Sequence, residues 1–320
     1  MKAIRVHEHG GVDALSLDEV PRPAPGPGEV LVRLAATGVN FIDTYHRSGH
    51  YRAELPITLG TEGAGEVVAV GDGVSDVSVG QHVASTNFAG AYAEFAIARA
   101  ERVVPIPHGV ADETAAAALL QGMTAHYLLH DSYPVKVGDT VLVHAAAGGM
   151  GLLLTQLASR MGARVIGTVS TPEKAELARG AGAAEVLDYN GIAEKVRALT
   201  DGEGVAAVYD GVGASTFEAS LASVRRRGVL VVYGAASGPV PPVDVQHLSA
   251  AGSIYLTRPT IAHFIVTPAE LSKRAGDVLR WVADGSLDIR IGGRYPLADA
   301  ARAHEDLEAR RTTGKLVLIP

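Results

Sequence analysis

A doubly wound α/β sheet accompanied by a β-rich domain is predicted by three features of this chain. Between Gly122 and Phe264, six short apolar segments alternate with helical stretches: VLVHA, ARVIGTV, AEVLDY, AAVYDGV, GVLVVYG and SIYLT. That alternation is the pattern of a parallel sheet with helices on both faces. The first segment runs into a small-residue turn, HAAAGGMG (His144 to Gly151), and then into GLLLTQLA, which carries the apolar positions of a helix. From Ala3 to about Leu120, by contrast, EVLVRLAATGV alternates apolar and polar residues, and AGEVVAVGDGV sets glycine turns between short strands. No helical period dominates there until Glu113. The expected organisation is a β-rich domain over 1–121, the parallel-sheet domain over 122–264, and a tail, 265–320, that returns to the first domain. In that tail Pro268 opens a helix with Leu271, Ala275, Val278, Leu279 and Val282 at helical spacing, Gly285 ends it, and KLVLIP forms a last strand.

The gross numbers narrow the function classes. A chain of 320 residues, 47% hydrophobic, can bury a sizeable core in about two domains of roughly 150 residues each. No apolar run approaches the roughly 20 residues that span a bilayer, and MKAIRVHEHGG lacks the apolar stretch of a signal peptide, so a cytoplasmic protein without membrane partners is expected. A formal charge of −7, with no basic cluster beyond Arg225 to Arg227, argues against a nucleic-acid surface; that triplet is expected at a helix end. With no cysteine there is no disulfide, no thiol nucleophile and no cysteine-ligated zinc.

The turn after the first apolar segment carries the chemistry. Val141, Leu142 and Val143 read as a strand buried on both faces, and Ala146, Gly148 and Gly151 fit the A-x-G-x-x-G form of the Rossmann dinucleotide fingerprint. Gly148 lets backbone approach a pyrophosphate, Gly149 and Met150 open the helix whose N-terminus faces it, and Gly151 lets that helix pack on its strand. The second strand, Arg164 to Val169, ends where NAD sites place an acid for the ribose 2′-hydroxyl. Here Ser170 and Thr171 stand in that place, followed by Pro172, Glu173 and Lys174, and Tyr189 closes the third strand. A 2′-phosphate wants hydroxyls and cations, so NADPH is predicted over NADH, with Glu173 the residue that counts against it.

Further motifs give a family resemblance over nearly the whole chain. GVNFIDTYHRSGHY (Gly38 to Tyr51), LGTEGAGEV (Leu59 to Val67), HAAAGGMG, YDGVG (Tyr209 to Gly213), LTRP (Leu256 to Pro259) and the closing AHEDLEARRTTGKLVLIP resemble NADPH-dependent quinone oxidoreductases. These form the zeta-crystallin-like, zinc-free branch of the medium-chain dehydrogenase/reductases. The resemblance implies that the β-rich domain is a GroES-like catalytic domain, and that the protein is a homodimer pairing through Ser253 to Thr257. It also implies that Asn40, Phe41, Ile42 and Asp43 lie near the nicotinamide, with Tyr45 and Tyr51 at the substrate mouth. Further cofactor contacts implied in the same way are Thr124, Tyr127, Val212, Tyr233, Gly234, Ala235, Ala236, Arg258 and Arg310, the last as a second cation for the 2′-phosphate. Met150 departs from the valine usual in the family.

Zinc-dependent relatives hold their metal with a cysteine and a histidine in the stretches corresponding to Val39–Asp43 and Gly60–Glu62. This chain has Asn40 and Thr61 there, neither a normal zinc ligand, and it lacks the cysteine-rich structural loop, so no metal is expected. His126 and His130, four apart on a helix, have no third ligand near them in sequence and read as packed or polar residues. Hydride transfer then needs orientation, a dry cleft and donors for the developing oxyanion. Asn40, Tyr45 and Tyr51 are the catalytic candidates, the tyrosines stacking on and polarising a quinone while solvent supplies the last proton. Two rival readings are reduction of an enal or enoyl thioester, and a nucleotide-bound RNA-binding or structural protein. The segment from Tyr45 to Pro56 offers no evident basic patch for the phosphates of coenzyme A, which favours quinones.

Overall fold

The computed structural model describes residues 1–320, which divide into two units: Met1–Gly122 with Thr267–Pro320, and Met123–Val266. In the second unit each of the six apolar segments forms a strand: β1 (Thr140–Val143), β2 (Arg164–Thr168), β3 (Glu185–Leu187), β4 (Val205–Asp210), β5 (Val224–Val232) and β6 (Tyr255–Thr257). All neighbours are parallel, in the order β3-β2-β1-β4-β5-β6. The winding direction therefore reverses between β1 and β4, and loops leaving the carboxyl ends of those strands diverge there, which is where dinucleotides bind in such sheets. Helices α1 (Gly149–Arg160), α2 (Pro172–Gly180), α3 (Ile192–Ala198) and α4 (Phe217–Ser223) follow β1, β2, β3 and β4. Because both faces are covered, central strands lack polar alternation; Leu142, Ile166 and Val208 pack with Val196, Phe217 and Leu221 in one buried cluster.

The arginine triplet begins two residues after α4 ends, but it lies in the following strand and not in the helix's last turn. Arg225, Arg226 and Arg227 open β5, where the ladder skips from Val205↔Val224 to Ala207↔Val229. The bulge accommodates the extra residues, with Arg227 left-handed at φ 60°, and Arg225 reaches Asp139 at 3.6 Å.

The first unit is built on a seven-stranded sheet. Its main path runs Ile291–Pro296, Lys315–Ile319, Glu29–Val39, Gly63–Val70, His82–Ser85, Val104–Pro105, and Phe95–Arg99 also pairs with Glu29–Val39. The closing KLVLI strand pairs antiparallel with the end of Glu29–Val39, Leu316 opposite Val39 and Val317 opposite Gly38. Residues nearly the whole chain apart, Asn40 and Lys315, are thereby neighbours. The helix expected after Thr267 is Pro268–Ala283, with a capping box: Glu270 N–H donates to Thr267 Oγ1 (3.2 Å) and Thr267 N–H to Glu270 Oε2 (2.9 Å). No helix is long and apolar enough to cross a membrane.

One element departs from the expectation that no helix precedes Glu113. Phe41–Ser48 is an α-helix, between extended Asn40 and left-handed Gly49 (φ 79°). Two turns are too short to show a periodic run. The helix is set by its first turn instead: Asn40 N–H donates to the Asp43 carboxylate at 2.8 Å, an N-x-x-D version of the capping box.

Candidate coenzyme and acceptor site

In the second unit the cradle follows from the turn after β1. Ala145 is left-handed (φ 51°), Gly148 is extended and caps α1, and Gly149 and Met150 are its first residues. First-turn amides have no partner within their helix and carry its positive end, so they suit a pyrophosphate. A Cβ on Gly151 would stand 2.2 Å from the Ala145 carbonyl oxygen and 2.7 Å from Ala146 Cα, so only glycine seats α1 on the turn. At Gly148 an added Cβ would meet one protein atom, Ala145 O at 3.2 Å. Its outer side is otherwise open, as a ligand's approach requires.

At the end of β2, Ser170 and Thr171 are exposed, and Thr171 caps α2 by accepting from Lys174 N–H at 3.3 Å. Glu173, the acid that argued against a phosphate, is held below the usual carboxylate range by hydrogen bonds from its own amide and from Thr171. Its carboxylate therefore serves the helix N-terminus. The Tyr189 hydroxyl accepts from Ala145 N–H at 3.2 Å, and its ring lies nearly parallel to His144 with centroids 6.3 Å apart, which ties the third strand's end to the cradle.

The loops after β4 and β5 are fixed by a buried polar chain that sequence reasoning did not single out. The Asp210 carboxylate accepts from Val212 N–H (2.8 Å), Gly213 N–H (2.9 Å), Thr216 Oγ1 (2.8 Å) and Ser220 Oγ (2.6 Å). Ser220 gives its only proton to Asp210, so it must accept from His144 Nε2 (2.9 Å), and His144 Nδ1 in turn accepts from Thr168 Oγ1 (2.9 Å). Burial keeps that imidazole neutral by pushing its pKa down. Val212 and Gly213 are thus held at their backbone, and the next loop zips onto them: Ala236 N–H donates to Gly211 O (3.2 Å) and Ser237 N–H to Val212 O (2.7 Å). A Cβ on Gly234 would lie 2.5 Å from Gly211 O. Arg258 Nη1 donates to Tyr233 O at 3.0 Å, so Val212, Tyr233, Gly234, Ala235, Ala236 and Arg258 form one framework. Tyr127 stacks face to face on Phe264 (4.1 Å, 6°), with Thr124 one turn earlier on the same helix. Arg310 lies in the first unit, exposed and left-handed (φ 56°) after the helix Ala300–Glu308.

In the first unit Asn40 is buried, and its amide is fully engaged. Oδ1 accepts from Lys315 Nζ at 2.6 Å, while Nδ2 donates to Glu62 Oε2 at 2.8 Å and to Gly38 O at 3.3 Å. Asn40 is therefore not the free oxyanion donor that its position suggested, because both N–H groups are already spent within the protein. Asp43 is equally inward: it accepts from Asn40 N–H and from Tyr92 OH (2.9 Å), and burial pushes its carboxyl up to about 7 against those bonds. Tyr92 OH meets His304 Nε2 at 3.1 Å, and His304 Nδ1 meets Arg47 at 3.1 Å, with Arg47 paired to Glu308 at 2.9 Å. His304 is driven down to about 3 by burial and by Arg47, so it is neutral and passes hydrogen bonds on. Phe41 and Ile42 are half-buried on the helix's first turn. Tyr45 and Tyr51 are brought together: Tyr51 N–H donates to Tyr45 O at 3.1 Å, and the rings meet edge to face at 5.4 Å and 67°. His50 stacks on Tyr51 at 5.4 Å, and Tyr51 itself is 38% exposed.

Residues 26–108 match the alcohol dehydrogenase GroES-like domain and residues 149–283 the zinc-binding dehydrogenase domain. A quinone oxidoreductase of Pseudomonas aeruginosa is 48% identical over 323 residues, spanning 100% of this chain and 99% of that protein. A 2-haloacrylate reductase of a Burkholderia species is 42% identical over 325 residues, 98% of each. Among solved structures, a mycobacterial protein complexed with NADPH is 56% identical with a TM-score of 0.98, covering 100% of both chains. With a dinucleotide cradle, a GroES-like unit and full-length kinship of this degree, the chain belongs to the quinone oxidoreductase family of medium-chain dehydrogenase/reductases.

Proposed function

We propose that this protein moves reducing equivalents from NADPH to quinones without a metal. The observation that carries the reading is full-length kinship to a quinone oxidoreductase in a chain that keeps the glycine cradle and has Asn40 and Thr61 in the stretches where zinc relatives hold their metal. NADPH, when bound, supplies hydride from its nicotinamide. The chain's residues do the rest: the α1 amides bind the pyrophosphate, and Ser170, Thr171, Lys174 and Tyr189 receive the phosphorylated ribose. The Asp210-anchored loops orient the nicotinamide side. Tyr45 and Tyr51 donate to the acceptor's oxygens as charge develops there, and solvent supplies the proton that completes the hydroquinone.

Two tests follow, one in each unit. Lys174→Ala should raise the Michaelis constant for NADPH about tenfold, the loss of roughly 1.4 kcal/mol from one cation–phosphate contact, and leave that for NADH unchanged. Equal values for both coenzymes in the parent protein would contradict the NADPH assignment. Tyr45→Phe with Tyr51→Phe should lower turnover on a small quinone about tenfold or more at unchanged coenzyme affinity; parent-like turnover would leave the tyrosines a shape role only. Similarity to the 2-haloacrylate reductase favours a second acceptor class, activated alkenes, and a panel of quinones, enals and 2-haloacrylate under steady-state conditions ranks the classes by kcat/KM.

The cytoplasm is the proposed compartment and a homodimer the proposed assembly. Supporting the dimer, β6 is the edge of the second unit's sheet, and Tyr255 on it is 61% exposed. Tyr255→Lys should convert a dimer to a monomer in sedimentation velocity; a parent protein that sediments as a monomer would end that reading.

A further inference from the structure

A lysine buried at 2% exposure is rare, and Lys315 stands beside the residue that occupies a zinc ligand's stretch in the metal-dependent relatives. Its Nζ donates to Glu62 Oε2 and to Asn40 Oδ1, both at 2.6 Å. Glu62, itself 0% exposed, accepts from Asn40 Nδ2 on the same oxygen and from Leu120 N–H on the other at 2.6 Å. The closing strand, the end of strand Glu29–Val39, the segment before Gly63 and a helix are thereby joined through one ion pair. The backbone makes room for it: a Cβ on Gly38 would lie 2.3 Å from Glu62 Oε2 and 2.8 Å from Lys315 Cε. Buried ion pairs add little net stability compared with apolar packing, so stability alone is a weak reason for this one.

What the pair determines is the orientation of Asn40. An amide can be turned either way. An ammonium on one side and a carboxylate on the other permit only the arrangement seen, oxygen to Lys315 and nitrogen to Glu62. Asn40 is also the cap of helix Phe41–Ser48, which carries Tyr45 and, through Tyr45 O, positions Tyr51. We propose that Lys315 and Glu62 are positioning residues that act through Asn40 to hold the tyrosine-bearing helix in register for the acceptor. This deepens the proposed quinone reductase function and rests on it.

The test compares Asn40→Ala, the charge-neutral pair Lys315→Met/Glu62→Gln, and the triple variant. The pair avoids the unpaired charge that a single substitution leaves. Hydrogen exchange of the Asn40 side-chain amide, followed by NMR in protein without coenzyme, should accelerate at least tenfold in the pair variant. At saturating NADPH, kcat/KM for p-benzoquinone should fall at least tenfold in the pair and in Asn40→Ala, and the triple variant should lose no more than either, because both act on one element. NADPH affinity, read by coenzyme fluorescence, should stay within twofold. The proposal is overturned if exchange is unchanged, if kcat/KM stays within twofold, or if the triple variant shows the product of the separate losses. Should the parent protein fail to oxidise NADPH with any quinone, the functional reading falls instead, while exchange still reports whether Lys315 orients Asn40.

Discussion

Lys315→Met alone is expected to cost about 3–5 kcal/mol of stability, the penalty for stripping one partner from a buried pair. Methionine fills nearly the same volume, so the loss is not a cavity effect. It arises because Glu62, at 0% exposure, is left with only amide donors from Asn40 and Leu120 to answer it. The diagnostic is the second-site response: adding Glu62→Gln should restore most of the loss, since both charges are then absent. Urea unfolding of the two variants checks this. A single variant as stable as the parent, or a pair variant no better than the single, would show that the ammonium is not what satisfies Glu62.

Gly151→Val is expected to weaken NADPH binding at least a hundredfold. The first side-chain carbon alone would sit 2.2 Å from the Ala145 carbonyl oxygen, which is backbone and cannot rotate away. Helix α1 must move off the turn after β1, and its first-turn amides move with it; overpacking of this kind also costs about 1–3 kcal/mol of stability. Gly148→Ala separates the two glycine roles. Its Cβ has a single neighbour at 3.2 Å, so the fold should melt near the parent temperature while NADPH affinity still drops, since the methyl group would crowd the proposed pyrophosphate contact. Calorimetric titration with scanning calorimetry on both variants measures the contrast. Full affinity in Gly151→Val would mean that the cradle is not the coenzyme site.

The parts of the molecule that could be read from the sequence are those set by neighbours along the chain. Six parallel strands were legible because each is a short apolar run between glycine-rich turns, and Pro268–Ala283 because its buried residues recur at helical spacing behind a capping box. The cradle was legible because its glycines are fixed by local geometry. Helix Phe41–Ser48 was not, being two turns long and specified by the cap between Asn40 and Asp43. Nor was the strand position of Arg225–Arg227, which depends on a bulge against β4.

Least legible were the buried polar groups. Asn40 and Lys315 are 275 residues apart and His144 and Ser220 are 76 apart, so no local pattern pairs them. Two signals stood in plain view: a lysine opening the apolar strand KLVLI and an aspartate closing VAAVYD. A charge on a segment otherwise almost wholly buried demands a partner, even where the sequence does not say which. Asn40 shows the converse difficulty. Its place in the chain marks it as important, but only the structure shows that its donors face inward.

Reduction of a quinone by NADPH with no metal taking part is the proposed reaction of this protein. Its most direct test is coenzyme oxidation, followed by nicotinamide absorbance, with p-benzoquinone as acceptor and protein dialysed against EDTA. The expected result is saturable, protein-dependent oxidation of NADPH that exceeds that of NADH and is unchanged by the chelator or by added zinc. Oxidation no faster than the uncatalysed background, or activity lost on dialysis and restored by zinc, would contradict it.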